Sequence, residues 1–403
     1  MNIIKIRILL LLPFTTFFIP VWAQTNSLKP EKELLKIVDN SLEQCSLQYR
    51  HLMQQLPVDR FPVTYYAKSN KHVTSGSEPW VGGFYPGALL YLFENTSDSV
   101  LYKEMIKKLE VLEKEKHNKT THDLGFMMYC SFGNVNRIAP KADYDDIIIT
   151  SARSLSARYS DKVGCIRSWG AGDEQFMVII DNMMNLELLF AATKMTGDSS
   201  FYKIAVDHAN TTMEHHYRPD HSSHHLVIYD PKTGKVQKKQ TVQGASDKSA
   251  WSRGQSWGLY GYIMTYRETK NKKYLVMAEN IADFILSHPN LPKDKIPYWD
   301  FNAPDIPDAP RDVSAGAVTC SALIELSSYV QRGKGKKYLS AAEDMLRSLS
   351  SRTYQASVGD NGGFLLKHGV GNYPRNADID VPLIYADYYF VEALHRYKQL
   401  KKK

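Results

Sequence analysis

Apolar and polar positions along this chain form two kinds of helical stretch that alternate from one end to the other. Amphipathic stretches, apolar at every third or fourth position, run over 29–56, 98–117, 144–159, 199–217, 272–288 and 336–351. Between them lie stretches that are apolar almost all the way round: 80–93, 122–132, 173–193, 251–267, 313–329 and 381–397, the last only in its first half. A helix apolar on every side belongs inside a protein, so the pattern predicts twelve helices, outer and inner in turn. An internal echo supports the count. DSVLYKEMIKKLEVLE, DSSFYKIAVDHANTTM, NKKYLVMAENIADFIL and GKKYLSAAEDMLRSLS each set a tyrosine at the start of an amphipathic helix after a short polar turn. Six helical hairpins without evident capping repeats are expected to close into an all-α (α/α)6 barrel, with an open solenoid as the alternative. One segment departs from the rhythm. Within 222–240, HHLVIYDPKTGKVQKK alternates about Lys232-Thr233-Gly234 and predicts a small β-hairpin, a flap near one mouth of the barrel.

One carboxylate, Asp181, interrupts the apolar helix expected over 173–193. Burying an ionised carboxylate costs several kcal/mol unless it is paired or protonated, so Asp181 either bonds a neighbouring helix end or does chemistry. The inner helices are led in by polar and aromatic segments: Glu78-Pro79-Trp80, Thr121-His122-Asp123, Ser168-Trp169-Gly170, 251–257 (WSRGQSW), Pro310-Arg311-Asp312 and Asn376-Ala377-Asp378. In a ring of parallel inner helices these segments meet at one mouth, where free N–H groups and positive dipole ends favour an anionic ligand. Four of the six tryptophans, Trp80, Trp169, Trp251 and Trp257, lie there, which suits a platform for sugar rings. Asp123, read alone, caps a helix; set in one pocket with Asp181, it drives the two pKa values apart and leaves one group protonated near neutrality. His215, His216, His221, His224 and His225 crowd the flap, with one or two expected to face the pocket.

Composition narrows the setting. Residues 1–23 carry Lys5 and Arg7, a short apolar core broken by Pro13, and the exit Val21-Trp22-Ala23, the pattern of a cleaved signal peptide. An exported protein follows, periplasmic or extracellular, with 24–403 as one catalytic barrel domain and no membrane anchor. Loss of Lys5 and Arg7 lowers the formal charge from +7 to +5, without the clustered basic face that nucleic acid requires. Cys45, Cys130, Cys165 and Cys320 lack metal-ligand spacing; neither a structural metal nor a cofactor is expected, and buried free thiols are the simplest reading.

Linked motifs in order then resemble one family. Trp80-Val81-Gly82-Gly83-Phe84-Tyr85-Pro86-Gly87, His122-Asp123-Leu124-Gly125-Phe126, Asp181-Asn182-Met183-Met184-Asn185, Gln243-Gly244, 251–258 and 380–389 are similar to the unsaturated glucuronyl hydrolases of glycoside hydrolase family 88. The resemblance covers nearly all of 24–403. It implies an (α/α)6 barrel acting on unsaturated uronic-acid oligosaccharides, removing the 4,5-unsaturated uronic acid that polysaccharide lyases leave at the non-reducing end. It implies hydration of the C4=C5 enol ether, with Asp181 as proton donor and then base for water, and Asp123 orienting the ring and holding Asp181 in its working state. Trp80, Phe84 and Trp169 are implied as walls, His122 and His225 as site histidines, and Thr241, Gln243, Arg253 and Trp257 as holders of carboxylate and hydroxyls, beside Trp251. Arg253 is the expected fork for the substrate carboxylate. The loop 367–373, with Tyr373, is expected to touch the leaving sugar; His221 and His224 depart from the family's usual residues. Two rivals remain open: an unsaturated rhamnogalacturonyl hydrolase acting on pectin fragments, and an exported glycan binder without chemistry.

Overall fold

The computed structural model describes residues 28–170 and 174–402, so the expected signal peptide lies outside the described residues. Outer and inner helices pair as α1 (Lys32–Gln55) with α2 (Phe84–Thr96), then α3 (Ser99–Leu112) with α4 (Asn134–Ile138), which continues a π-helix, Gly125–Gly133. Next come α5 (Ala142–Ser156) with α6 (Leu186–Thr196), α7 (Ser199–His215) with α8 (Ser252–Thr269), α9 (Lys272–Ser287) with α10 (Val313–Ser327), and α11 (Arg332–Leu349) with α12 (Ile384–Gln399). The inner ring closes. Helix α2 packs on the π-helix, that on α6, and so on through α8, α10 and α12 back to α2. The fold is therefore an (α/α)6 barrel rather than an open solenoid.

Three of the four repeated polar turns prove to be helix caps, while the fourth, at Gly335, lies inside α11. The side chains of Asp98, Asp198 and Asn271 accept the N–H of Val100, Ser200 and Lys273, satisfying donors that a helix start leaves free. Two of the echoed tyrosines tie neighbouring outer helices together: the Tyr274 hydroxyl donates to Asn210 at 2.7 Å and that of Tyr338 to Asp283 at 3.2 Å.

The third inner helix begins later than its apolar pattern predicts. Phe176–Ile179 is a strand, β5, after β1 (Phe61–Tyr66), β2 (Lys71–Ser75), β3 (Tyr159–Ser160) and β4 (Cys165–Ile166). It pairs antiparallel with β6 (Leu226–Tyr229), which pairs with β7 (Val236–Gln240), so the expected two-stranded flap is a three-stranded sheet. The reason is two-sided burial: Phe176 and Val178 pack with Val163, Cys165 and Tyr229, while Ile179 packs with Leu226 and Ile228 on the other face. A four-residue apolar run buried on both faces carries no alternation to separate it from helix. Three further hairpins, β1–β2, β3–β4 and β8 (Gly369–Asn372) with β9 (Ala377–Val381), also break the expected rhythm. Among the described residues no helix is long and apolar enough to cross a membrane.

Candidate active site

The lead-in segments do meet. Trp80, at the start of a 3-10 turn before α2, packs on Tyr385 of α12 at 4.9 Å and on Phe126 of the π-helix at 5.4 Å; Phe126 in turn meets Trp257 of α8 at 5.1 Å. Asp181 sits in a second 3-10 turn, Ile180–Asn185, between β5 and α6, and not inside a helix. Strand pairing fixes that turn from behind, because Ile180 N–H donates to the His225 carbonyl at 3.0 Å.

The same turn reaches the other carboxylate. Asn185 accepts the Phe126 N–H at 3.1 Å through its side-chain oxygen and donates to Asp123 Oδ1 at 3.4 Å. Gly125 makes this approach possible: a Cβ there would lie 2.4 Å from the Asn185 Cα. Asp123 also lies against Thr121, whose hydroxyl donates to it at 3.5 Å, and His122 Nε2 stands 3.4 Å from Asp123 Oδ1. On the Asp181 side, His225 Nε2 stands 3.7 Å from Oδ2. Trp169 lies between the two histidines, edge-on to both, at 6.5 Å from His122 and 5.8 Å from His225.

Each carboxyl side chain keeps 14% of its surface exposed, and both are pushed far from the ordinary carboxylate range. Burial raises Asp123 to about 7, against hydrogen bonds from Asn185 and Thr121 and the charge of Arg158. Burial raises Asp181 to about 7, with Arg253 pulling it down and the charge of Asp123 pushing it further up. Burial holds His122 and His225 neutral, each at about 3. Two carboxyls that titrate together near neutrality can hold and release one proton in a water-poor pocket.

The remaining expected residues divide by exposure. Trp80, Trp169, Thr241, Gln243 and Tyr373 are partly open. Phe84 is 0% exposed, Trp257 1% and Trp251 4%, so Trp80 and Trp169 are the partly open members of the four tryptophans, while Trp257 reaches Asp181 with its indole N–H. Thr241 is half engaged: its hydroxyl accepts the Gly244 N–H at 2.8 Å. Tyr373 stacks on Trp299 at 4.2 Å. Arg253 is engaged by the protein on one side of its fork: Nη1 donates to Asp312 at 2.7 Å and to the Val370 carbonyl at 2.5 Å, and Nη2 to the Gly371 carbonyl at 2.6 Å. Gln243 grips the same Gly371 carbonyl at 3.1 Å. Arg253 thus acts on Asp181 by its charge and fastens the β8–β9 hairpin to α8. Among the described residues no group of three His, Cys, Asp or Glu side chains could hold a metal ion.

No family model matches the chain. It is 50% identical over 328 residues to an unsaturated glucuronyl hydrolase of Formosa agariphila, covering 80% of this chain and 81% of that one. The chain belongs to the unsaturated glucuronyl hydrolases. It is an enzyme, a glycosidase of that family, and the binder without chemistry is set aside. An unsaturated chondroitin disaccharide hydrolase of Streptococcus agalactiae is 32% identical over 91% of both chains. The crystal structure of an unsaturated glucuronyl hydrolase specific for heparin superposes with a TM-score of 0.88, at 44% identity over 91% of this chain and 98% of that one. Four further residues build the site: Asn185, Arg158, Asp312 and Tyr385. Asn185 and Tyr385 stood inside quoted motifs and Asp312 inside a lead-in segment, without a role given to any of them; Arg158 acts across the fold on a partner no spacing reveals.

Proposed function

We propose that Asp181 is the acid that starts catalysis and that Asp123 holds it in its working state. Asp181 protonates C4 of the C4=C5 enol ether, and positive charge develops at C5 and the ring oxygen. Water then adds at C5, giving its proton back to Asp181. The resulting hemiketal opens, and the exposed hemiacetal at C1 releases the rest of the sugar chain. The glycosidic bond is never attacked directly, so the carboxylate spacings of retaining and inverting enzymes do not govern this site. One observation carries the reading: two carboxyls raised to about 7 at one mouth, coupled by charge, with Asn185 of the Asp181 turn bonded to Asp123. Trp80 and Trp169 supply the apolar walls for the unsaturated ring.

The substrate class follows from the relatives. One acts on chondroitin disaccharide and another is specific for heparin, so fragments of glycosaminoglycans are the proposed substrates, met outside the cytoplasm if residues 1–23 direct export. The pectin-derived alternative is tested by the same assay. Asp181→Asn keeps shape and removes the proton, so the ultraviolet absorbance of an unsaturated disaccharide should persist in its presence, at a rate lowered by about a thousandfold or more. Near wild-type loss of that absorbance would assign the donor elsewhere. A panel of lyase-generated disaccharides, sulfated and unsulfated, ranks the parent polymers.

A further inference from the structure

The ring of His225 is locked by the loop that follows the flap. Its Nδ1 accepts the backbone N–H of Val242 at 3.0 Å and that of Gln243 at 3.3 Å. Nδ1 therefore carries no hydrogen, and the single N–H of the neutral ring is on Nε2. Trp251 at 4.8 Å and Trp169 at 5.8 Å confine the ring plane. Nε2 stands 3.7 Å from Asp181 Oδ2, and neither atom has another hydrogen-bond partner within the protein. Oδ2 is closed to solvent while 14% of the side chain is exposed, so Asp181 meets the pocket with Oδ1.

We propose that His225 is a positioning residue: its fixed Nε2–H makes Oδ2 the accepting oxygen of Asp181 and so places the transferable proton on Oδ1, facing the substrate. This rests on the reading of Asp181 as donor. A carboxyl that accepts at one oxygen keeps its hydrogen on the other, and a buried N–H with no alternative partner enforces the choice. Closing the gap to hydrogen-bond distance takes a shift of about half an ångström, of the kind that filling a site brings about. The other groups that face Asp181 do not hold Oδ2: Asp123 adds negative charge, Arg253 acts by its positive charge, and Trp257 and the main-chain N–H of Asp181 itself offer hydrogen bonds while Oδ2 has no such partner. Arg253 is the one further charge acting on His225.

The test is His225→Phe in the full chain, with kcat followed against pH on an unsaturated disaccharide. Expected are a ten- to hundredfold lower kcat, a KM changed by less than about threefold, and an alkaline limb moved up by about one pH unit, because the carboxylate has lost a donor. His225→Gln restores an N–H and should bring the limb back toward wild type. Independently of any variant, the ring nitrogen resonances of 15N-histidine-labelled enzyme should show the Nε2–H tautomer at neutral pH. The Nδ1–H tautomer, or an alkaline limb that stays put in His225→Phe, overturns the proposal. If Asp181→Asn also keeps its turnover, the underlying donor assignment has failed instead.

Discussion

The two mouths of the barrel are built from the same helices and treat polar atoms in opposite ways. At the end where the inner helices begin, His122 Nε2, Asp181 Oδ2 and His225 Nε2 are buried without a hydrogen-bond partner in the protein. At the end where they finish lies a cavity of about 460 Å³ lined by Arg137, Glu187, Arg267, Glu392 and Arg396 among tyrosines. There the charges are matched. Arg267 holds Glu325 at 2.8 Å and also Glu187, Arg396 holds Glu325 at 2.7 Å and the Tyr260 hydroxyl at 2.7 Å, and Glu392 takes the hydroxyls of Tyr260 and Tyr91 at 2.9 and 3.3 Å. Cavity size therefore does not mark the chemistry. What marks it is a pair of raised carboxyls beside unpartnered ring nitrogens, since a network as densely ion-paired as the one at the other end has little to offer a ligand.

If that contrast is right, damage at the two mouths should differ in kind. Asp181→Asn should abolish turnover yet leave the melting temperature unchanged or raised, because it removes an under-partnered buried carboxyl; calorimetry showing a large fall would erase the distinction. Arg396→Met strips a partner from Glu325 and Glu392, so the urea midpoint should drop by the equivalent of about 3 kcal/mol. Its folded fraction should keep kcat within about twofold. The pH profile sharpens the comparison further. Both site carboxyls sit at about 7, raised from 3.8, so the pair retains a proton below that pH and loses it above. kcat should then fall by about tenfold per unit above pH 7, and Arg396→Met should leave that limb in place. The smallest effect belongs to the wall: Trp80→Leu should raise KM by about fivefold, the worth of one aromatic contact, with kcat nearly kept.

The helical ring was legible because each hairpin repeats one physical demand, an inner face that only a neighbouring inner helix can cover. Asp123 and Asp181 were legible for the related reason that carboxylates in apolar surroundings need an explanation. The hairpins were not. Lys71–Ser75 is polar and Gly369–Asn372 is half glycine, so neither carries the alternation of a strand with one wet face. The internal bonds of Arg253 were invisible because its partners, Asp312, Val370 and Gly371, lie 59, 117 and 118 residues away in the chain. Tryptophans 251 and 257 are more deeply buried than their lead-in position suggests: sequence gives a residue's helix and not its depth.

Arg253 and Gln243 hold the β8–β9 hairpin to the barrel through main-chain oxygens, those of Val370 and Gly371. That grip does not depend on the side chains at the rim. Positions such as Lys367 and Tyr373, at the rim, can drift or be exchanged between lineages without loosening the grip of Arg253 and Gln243. A barrel fastened in this way can take up a new oligosaccharide by changing its rim while the proton-handling machinery beneath it stays untouched.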